Sequence, residues 1–327
     1  MPDLSPPYRA TLEMLAAWMS ERYFRTFRVA DEDPGAFDDL LTQRDRRVGV
    51  TLGALWETTE SDASVPGVEE LAEALTGDLQ TDRAIDAGAY VVWVPPKAML
   101  PLEDPRFSDL RVSLAKGLAG LARGERREVP ILVTVHLAKI QDEGAYMSVA
   151  GGLAPEWTTL SEGLPGAFHL DARALTRLPE EREEIEVIVG LVRDKAVLLR
   201  PEETTTVQVR DTWVVSRLPA GAPEGVTVIA APSDLDPLEG APVRRMLRRH
   251  VQRAVGAREA CEAAGATVDL HALALIGAVA HLKDELATAA LRGMNPAAYG
   301  NLDLIAIAGD GAMRQVLQPR SLPWESR

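Results

Sequence analysis

The chain has 327 residues, of which 46% are hydrophobic and 26% charged, and its formal net charge at pH 7 is −14. Nucleic-acid binding draws most of its non-specific affinity from Lys and Arg that neutralise phosphates, so this acidic surface excludes broad contact with nucleic acid and leaves only local contact. The single cysteine, Cys261, excludes an internal disulfide and a cysteine-based zinc site. The sequence has neither a secretory signal nor an apolar run of about 18 residues, which predicts a cytoplasmic protein without membrane contact.

The first 145 residues alternate between helical and strand-like patterns. Apolar residues from Pro7 to Tyr23 recur at spacings of three and four, which predicts a helix. Strand-like segments follow at Phe24 to Ala30 and, as a pair, within Phe37 to Glu57. The patterns beyond them predict a helix, a strand, a second helix and a second strand. This order predicts an α/β domain over residues 1–145, a mixed sheet flanked by helices with some parallel pairing.

The middle of the chain, residues 146–240, has a different pattern. Short β-like runs are separated by charged or Gly/Pro turns: AYMSVAGGL, EIEVIVGLV, KAVLLRP, TTTVQVRDTWVVSRL and GVTVIAA. Strands at such short spacing, without helices between them, predict a β-rich and largely antiparallel region.

The last region, residues 241–327, returns to alternation and is predicted to be α/β and to pack with the first domain. A long helix is predicted from Pro242 to Ala264, and a shorter one from His281 to Met294. The apolar segments Leu273 to Gly277 and Leu302 to Ala308 are expected to be neighbouring buried strands. Gly309-Asp310-Gly311 then predicts a hairpin turn.

The segment FDDLLTQRDRRVGVTLGALWE, residues 37–57, carries the one resemblance to a known family. Together with the order of elements around it, this segment resembles the PD-(D/E)XK nuclease-like superfamily. The resemblance covers about the first 140 residues and includes elements from the C-terminal third. The resemblance implies a restriction-endonuclease-like N-terminal core. In that family an Asp begins the second core strand and a Glu-x-Lys lies on the third. The carboxylates hold a divalent metal, which prefers oxygen ligands, and the Lys helps to position the attacking water.

This sequence departs from the family pattern on the third strand. Either Asp38 or Asp39 matches the first acid, but Thr51 stands at the Glu position and Gly53 at the Lys position. The resemblance therefore implies an inactive site without a metal cofactor. A solvated pair of aspartates close to a turn is the alternative interpretation of Asp38 and Asp39.

A rearranged metal site is a second hypothesis. Glu57, or Glu13 and Glu21 on the first helix, could supply a displaced ligand beside Asp38 and Asp39. That arrangement would make the protein a Mg²⁺-dependent nuclease with Asp38, Asp39 and Glu57 as its catalytic residues.

The predicted helix from Pro242 to Ala264 carries a basic stripe. Its apolar residues fall on one side and most of its arginines on the other: Arg244, Arg245, Arg248, Arg249, Arg253 and Arg258. Arginine suits contact with phosphates or with an acidic partner, because its guanidinium presents a fork of donors. The alternative is a solvated face paired with nearby Glu.

Three functions fit these observations. The first is a non-catalytic nuclease-like protein that acts as a nucleic-acid or protein interaction module, in a defence or mobile-element setting, with a protein partner or as a homo-oligomer. The second is the nuclease with a rearranged site. The third is a structural or assembly subunit without a nucleic-acid role, which the acidic charge favours.

Overall fold

The computed structural model describes residues 4–56, 65–151, 163–175, 177, 182–219, 221–232, 235, 239–278, 286–319 and 321–324. These residues form an α/β structure with two mixed sheets and helices flanking them, as the sequence predicts. Within the described ranges, no helix is both long enough and apolar enough to cross a membrane.

The elements in the described residues are numbered here in chain order. The helices are α1 (Pro6–Tyr23), α2 (Val68–Thr81), α3 (Arg106–Leu118), α4 (Arg182–Leu198), α5 (Gly240–Ala263) and α6 (Leu286–Arg292), with a 3₁₀ turn at Pro296–Ala298. The strands are β1 (Arg28–Val29), β2 (Asp39–Gln43), β3 (Arg46–Ala54), β4 (Ala89–Val94), β5 (Arg126–Gln141), β6 (Ala145–Ala150), β7 (Gly166–Asp171), β8 (Thr204–Arg217), β9 (Gly225–Ala230), β10 (Leu270–Ile276), β11 (Leu304–Gly309) and β12 (Ala312–Leu317).

The first sheet has the order β1-β2-β3-β10-β11-β12. Strands β1, β2 and β3 pair antiparallel, and β3 then pairs in parallel with β10, from Val48 opposite Leu270 to Ala54 opposite Ile276. β10 pairs in parallel with β11, and both strands are buried along their length. The prediction that these two segments are neighbouring buried strands is confirmed.

The side chains of β3 alternate between the two faces of this sheet, and this alternation explains how a helix covers each face. Val48, Val50 and Leu52 point to one face and pack against apolar residues of α1. The small residues between them point to the other face, where α5 lies. α5 buries the residues that its period predicts, which are Val243, Met246, Leu247, Val251 and Ala254, and it also buries Cys261.

The second sheet has the order β6-β7-β5-β8-β4-β9 and is mixed rather than largely antiparallel. β5 pairs antiparallel with β7, but β6 pairs in parallel with β7, and β4 pairs in parallel with β9. The sequence pattern shows where such strands lie but carries little information on their direction, since direction depends on how the connections run.

The largest difference from the sequence prediction lies in the β-rich region 146–240. The run EIEVIVGLV and the start of KAVLLRP, up to Leu198, are not two strands but belong to one helix, α4. Ile188, Val192 and Ala196 are its buried residues, at a spacing of four, and they pack into a core with β5 and β7. The β-branched residues of this segment have an intrinsic preference for strands, but the packing of one helical face against a sheet outweighs that preference.

Smaller differences concern element boundaries. The strand predicted from Phe24 to Ala30 is reduced to Arg28–Val29, and the segment GAFHLD forms the unpredicted strand β7. The helix predicted from His281 is described from Leu286 onward, and residues 279–285 lie outside the described ranges.

By internal contacts the chain divides into two compact units. Unit 1 consists of Met1–Pro96, Leu114–Glu128 and Val214–Arg327, and it contains the first sheet, α1 and α5. Unit 2 consists of Lys97–Ser113 and Val129–Trp213, and its core lies between α4 and the strands that α4 covers.

The β11–β12 hairpin provides a test of close packing in unit 1. Asp310 and Gly311 have φ values of 45° and 70°, as a two-residue primed turn requires. A Cβ at Gly311 would lie 2.8 Å from the Cβ of Ser216, whereas Gly265, with φ 71°, has nothing within 4 Å.

Replacing Gly311 with Ala should therefore destabilise the protein more than replacing Gly265 with Ala. Both variants incur left-handed backbone strain of about 1 kcal/mol, and Gly311→Ala adds about 1–3 kcal/mol for overpacking. Urea unfolding of the two variants measures the difference. Equal decreases in stability would show that the Gly311 contact relaxes without cost.

Candidate functional site

The two aspartates at the start of β2 face opposite sides of the first sheet. Asp39 lies directly opposite Val50, so its side chain is on the α1 face. Asp38 precedes it by one residue and points to the α5 face, as do Thr51 and Gly53 on β3. Only Asp38 therefore shares a face with the two positions at which the family resemblance places reactive groups.

Asp38 is bound by protein groups on that face. The backbone N–H of Leu52 donates to Asp38 Oδ2 at 2.7 Å. Arg253 of α5 forks onto the same carboxylate, with Nη2 2.7 Å from Oδ2 and Nη1 3.3 Å from Oδ1. The guanidinium also donates to the carbonyl oxygen of Leu52. A cation from the basic helix thus neutralises the carboxylate that the family would use for a metal.

Three rings cover the small residues on the α5 face of β3. Phe37 fills the space next to Gly49, where an added Cβ would lie 2.7 Å from the ring. Thr51 Oγ1 lies 3.0 Å from His271 Nε2 of β10, and the bond is buried. His250 of α5 covers Gly53 so closely that a Cβ there would lie 2.5 Å from its imidazole. No room is left at Gly53 for a lysine side chain.

The two imidazoles in this row are held neutral. His250 Nε2 lies 2.9 Å from the carbonyl oxygen of Ala54, which can only accept, so Nε2 carries the proton of that bond. Burial lowers the pKa of His250, and burial with the charge of Arg258 lowers the pKa of His271 to about 3. Neither ring is therefore placed to act as a charged group at neutral pH.

Two acidic residues, Asp39 and Glu13, lie on the α1 face. Asp39 is almost fully buried, accepts a hydrogen bond from the N–H of Leu40 at 2.7 Å, and has Arg9 Nη1 at 3.6 Å. Glu13, one turn along α1 from Arg9, is also buried. Burial raises the pKa of both Glu13 and Asp39, so this face holds two weak acids and one guanidinium.

The other proposed ligands do not complete a metal site. Glu21 lies exposed on α1, and Glu57 falls outside the described residues. Among the side chains that the structure describes, no group of three or more His, Cys, Asp or Glu is placed to hold a metal ion.

The basic stripe of α5 divides into two parts. Arg253 and Arg258 turn toward the protein: Arg258 donates to Glu262 at 3.1 Å and to Asp303 at 3.3 Å. The remaining four are exposed along the first half of the helix, and they are named here the α5 arginine face (Arg244, Arg245, Arg248 and Arg249).

The sequence prediction missed the roles of His250 and His271. His250 lies in the helix predicted from Pro242 to Ala264, and His271 lies two residues before the strand predicted from Leu273, but their contacts with β3 are 196 and 220 residues distant. The signal that could have found them is Gly49 and Gly53 at alternate positions of a buried strand, since such glycines mark the close approach of another group.

No relative of this chain was found among known proteins. No protein-family model matches the chain, and neither a curated protein nor a solved structure matches it. The contacts and charges around Asp38 and α5 are therefore what bear on function.

The Asp38–Arg253 pair should stabilise the protein more than an ordinary surface pair. Because both side chains are partly exposed and screened by solvent, a double-mutant cycle with Asp38→Asn and Arg253→Gln should give a coupling energy of about 1 kcal/mol. The pair of Arg47 and Glu32, 2.6 Å apart but half exposed on both sides, is a matched control. Its cycle should give about 0.3 kcal/mol, and equal coupling energies in the two cycles would contradict the role given to Arg253.

His271 should make stability fall as the solution is acidified. Its pKa is about 3 in the folded protein and about 6.5 when unfolded, so the unfolded chain takes up the proton first. The stability that goes with a neutral His271 is fully present above pH 6.5, and it is lost progressively as the pH falls from 6.5 toward 3.

At pH 5 the decrease in stability from His271 should be about 2 kcal/mol. Urea unfolding at pH 7 and pH 5 of the wild type and of His271→Gln measures it, since the carboxylates titrate in both proteins. A wild type and variant with the same pH dependence would show that His271 is not held neutral by burial.

Proposed function

We propose that this chain is a non-catalytic, nuclease-like protein that binds nucleic acid locally through the α5 arginine face. The observation that supports the proposal is the contact between Arg253 and Asp38, because the helix that makes this contact is also the helix that carries the exposed arginines. α5 neutralises the carboxylate of the inactive site and presents four exposed arginines to solvent.

The arrangement of the first sheet supports the resemblance to the PD-(D/E)XK superfamily. Helix α1, the antiparallel strands β1 to β3, helix α5 and the parallel strand β10 give the order helix, three strands, helix, strand. Asp38 stands just before the second of these strands, and the helix and strand that complete the set come from the C-terminal third of the chain.

The surroundings of β3 support the absence of catalysis. A metal-dependent nuclease needs carboxylates free to bind the ion and a group that positions water. Thr51 is hydrogen-bonded to His271, the space at Gly53 is filled by His250, and Asp38 is bound to Arg253. A rearranged nuclease would have to release this arginine before Asp38 could bind a metal.

The charge of the α5 arginine face supports a phosphate-bearing partner. The exposed arginines lie in the first half of α5, and no acidic residue occupies the first turn of that helix. An anion bound on this face would relieve the mutual repulsion of these charges. Because the chain as a whole carries a charge of −14, contact with nucleic acid is confined to such a surface. A cytoplasmic location, and action with a protein partner or a second copy in defence or mobile-element biology, belong to the same proposal.

Binding of DNA or RNA should depend on salt and on the four arginines together. Fluorescence anisotropy with labelled single- and double-stranded probes, from low to physiological salt, measures the affinity. Replacing Arg244, Arg245, Arg248 and Arg249 with Gln should reduce the slope of log K against log salt by about one unit for each phosphate that the variant no longer neutralises. A control with Arg83, Arg123, Arg200 and Arg210 changed to Gln removes the same charge from other exposed positions.

The outcomes separate the three hypotheses. An equal decrease of affinity in both variants would show that the decrease comes from net charge alone. The α5 arginine face would then be an ordinary solvated surface. Absence of binding to any probe would favour a structural or assembly subunit. Cleavage of the probes with Mn²⁺ that Asp38→Ala abolishes would instead support the rearranged nuclease.

A further inference from the structure

A second cationic surface lies in unit 1, apart from α5. The chain leaving α1, strand β1 and the turn between β2 and β3 line a half-open cavity of about 440 Å³. Three arginines line it, Arg25, Arg28 and Arg44, with Thr26 and Phe24 beside them. This volume falls in the range of small-molecule sites, which is about 300–1,000 Å³.

The arginines of this cavity have no acidic partner. All three are exposed, and among the described residues none forms an ion pair and no acidic side chain lines the cavity. By contrast, Arg9 and Arg47, close to them in the sequence, pair with Asp39 and Glu32. Three like charges that line one cavity, in a chain with 49 acidic residues, repel one another, and an anion bound in the cavity would relieve that repulsion.

The charge at the end of α1 does not account for these arginines. A cation near a helix carboxyl end interacts favourably with the helix dipole. Arg22, in the last turn of α1, already supplies that charge, and it lies over the rings of Trp18 and Tyr23. The cavity arginines are thus additional charges.

Phe24 adds an aromatic surface to the cavity. The residue is 89% exposed, and its backbone is left-handed, with φ 52° and ψ 43°. Glycine or asparagine is the usual residue at this position after a helix, because other residues are strained in the left-handed conformation. An exposed ring held in a costly conformation beside three guanidinium groups is a surface on which a planar base can stack.

We propose that this cavity binds one nucleotide unit, with the arginines on its phosphate and Phe24 stacked on its base. The shared chemistry is a phosphate joined to an aromatic base, carried either by a free nucleotide or by the phosphorylated end of a strand. The site uses no residue of α5, so it goes beyond the function proposed above and stands independently of it.

Isothermal titration calorimetry of the full chain with adenosine 5′-monophosphate (AMP), adenosine and inorganic phosphate tests the site. AMP should bind at least about tenfold more tightly than either fragment, because each fragment keeps only one of the two interactions. Arg28→Gln and Arg44→Gln should each weaken AMP binding about tenfold, as removal of a charge-assisted hydrogen bond does. A 5′-phosphorylated single-stranded oligonucleotide, compared with the same strand lacking the phosphate, tests the second source of the nucleotide.

Variants of Phe24 and two controls keep the test specific. Phe24→Gly removes the ring at a position where glycine relieves strain, so weaker AMP binding in a protein of equal or higher stability marks stacking rather than unfolding. Arg123→Gln, exposed elsewhere in unit 1, should leave AMP binding unchanged. The variant lacking the α5 arginine face should also retain it, which separates this site from the proposed function.

The proposal is overturned if neither AMP nor the phosphorylated strand gives saturable binding at millimolar concentration. It is also overturned if AMP binds equally well to Arg28→Gln and Arg44→Gln. Equal affinity for AMP and inorganic phosphate would refute the role of Phe24, because the base would then contribute nothing. Binding of the phosphorylated strand alone, abolished in the same arginine variants, would support the strand end as the ligand.

Discussion

The parallel pairing of β3 with β10 is the constraint on which the rest of unit 1 depends. It joins segments more than 200 residues apart, from Val48 opposite Leu270 to Ala54 opposite Ile276. The entropy of closing a loop grows only by about 0.6 kcal/mol for each doubling of its length, so a long intervening segment costs little. Pairing of two buried strands stabilises the closure, and it brings α5 onto the face of the first sheet that carries Asp38, Thr51 and Gly53.

Thr51 and Gly53, the residues at the two positions where the family resemblance would place reactive groups, are also those that let α5 approach. Gly53 admits the imidazole of His250 at a distance that no larger residue would permit, and Thr51 supplies a hydroxyl for His271. Interiors pack densely, so a strand with short side chains must have close neighbours in the space that long ones would fill. In this protein rings and a guanidinium fill that space, and the carboxylate of Asp38 becomes part of the packing between β2 and α5.

Arginine serves two different purposes in this acidic chain. Arg253, Arg258 and Arg9 each meet a carboxylate of the first sheet or its connections, where a forked donor satisfies a partly buried charge. The arginines of the α5 arginine face, and those of the cavity lined by Arg25, Arg28 and Arg44, are exposed at the surface. A local positive surface on a protein of net negative charge attracts an anion at short range while the rest of the molecule repels it, which favours a restricted contact over general adhesion to nucleic acid.

The sequence by itself determined features that depend on near neighbours. The periods of α1 and α5, the turn at Asp310 and Gly311, and the position of Thr51 and Gly53 on a strand could all be predicted, because spacing and residue type decide them locally. α4 could not, because its β-branched residues favour a strand until one helical face packs on a sheet. The choice between Asp38 and Asp39 also needed the tertiary structure, since a shift of one residue in a strand reverses the face. Arg253 reaches Asp38 across 215 residues and His271 reaches Thr51 across 220, and only the folded sheet brings such distant groups together.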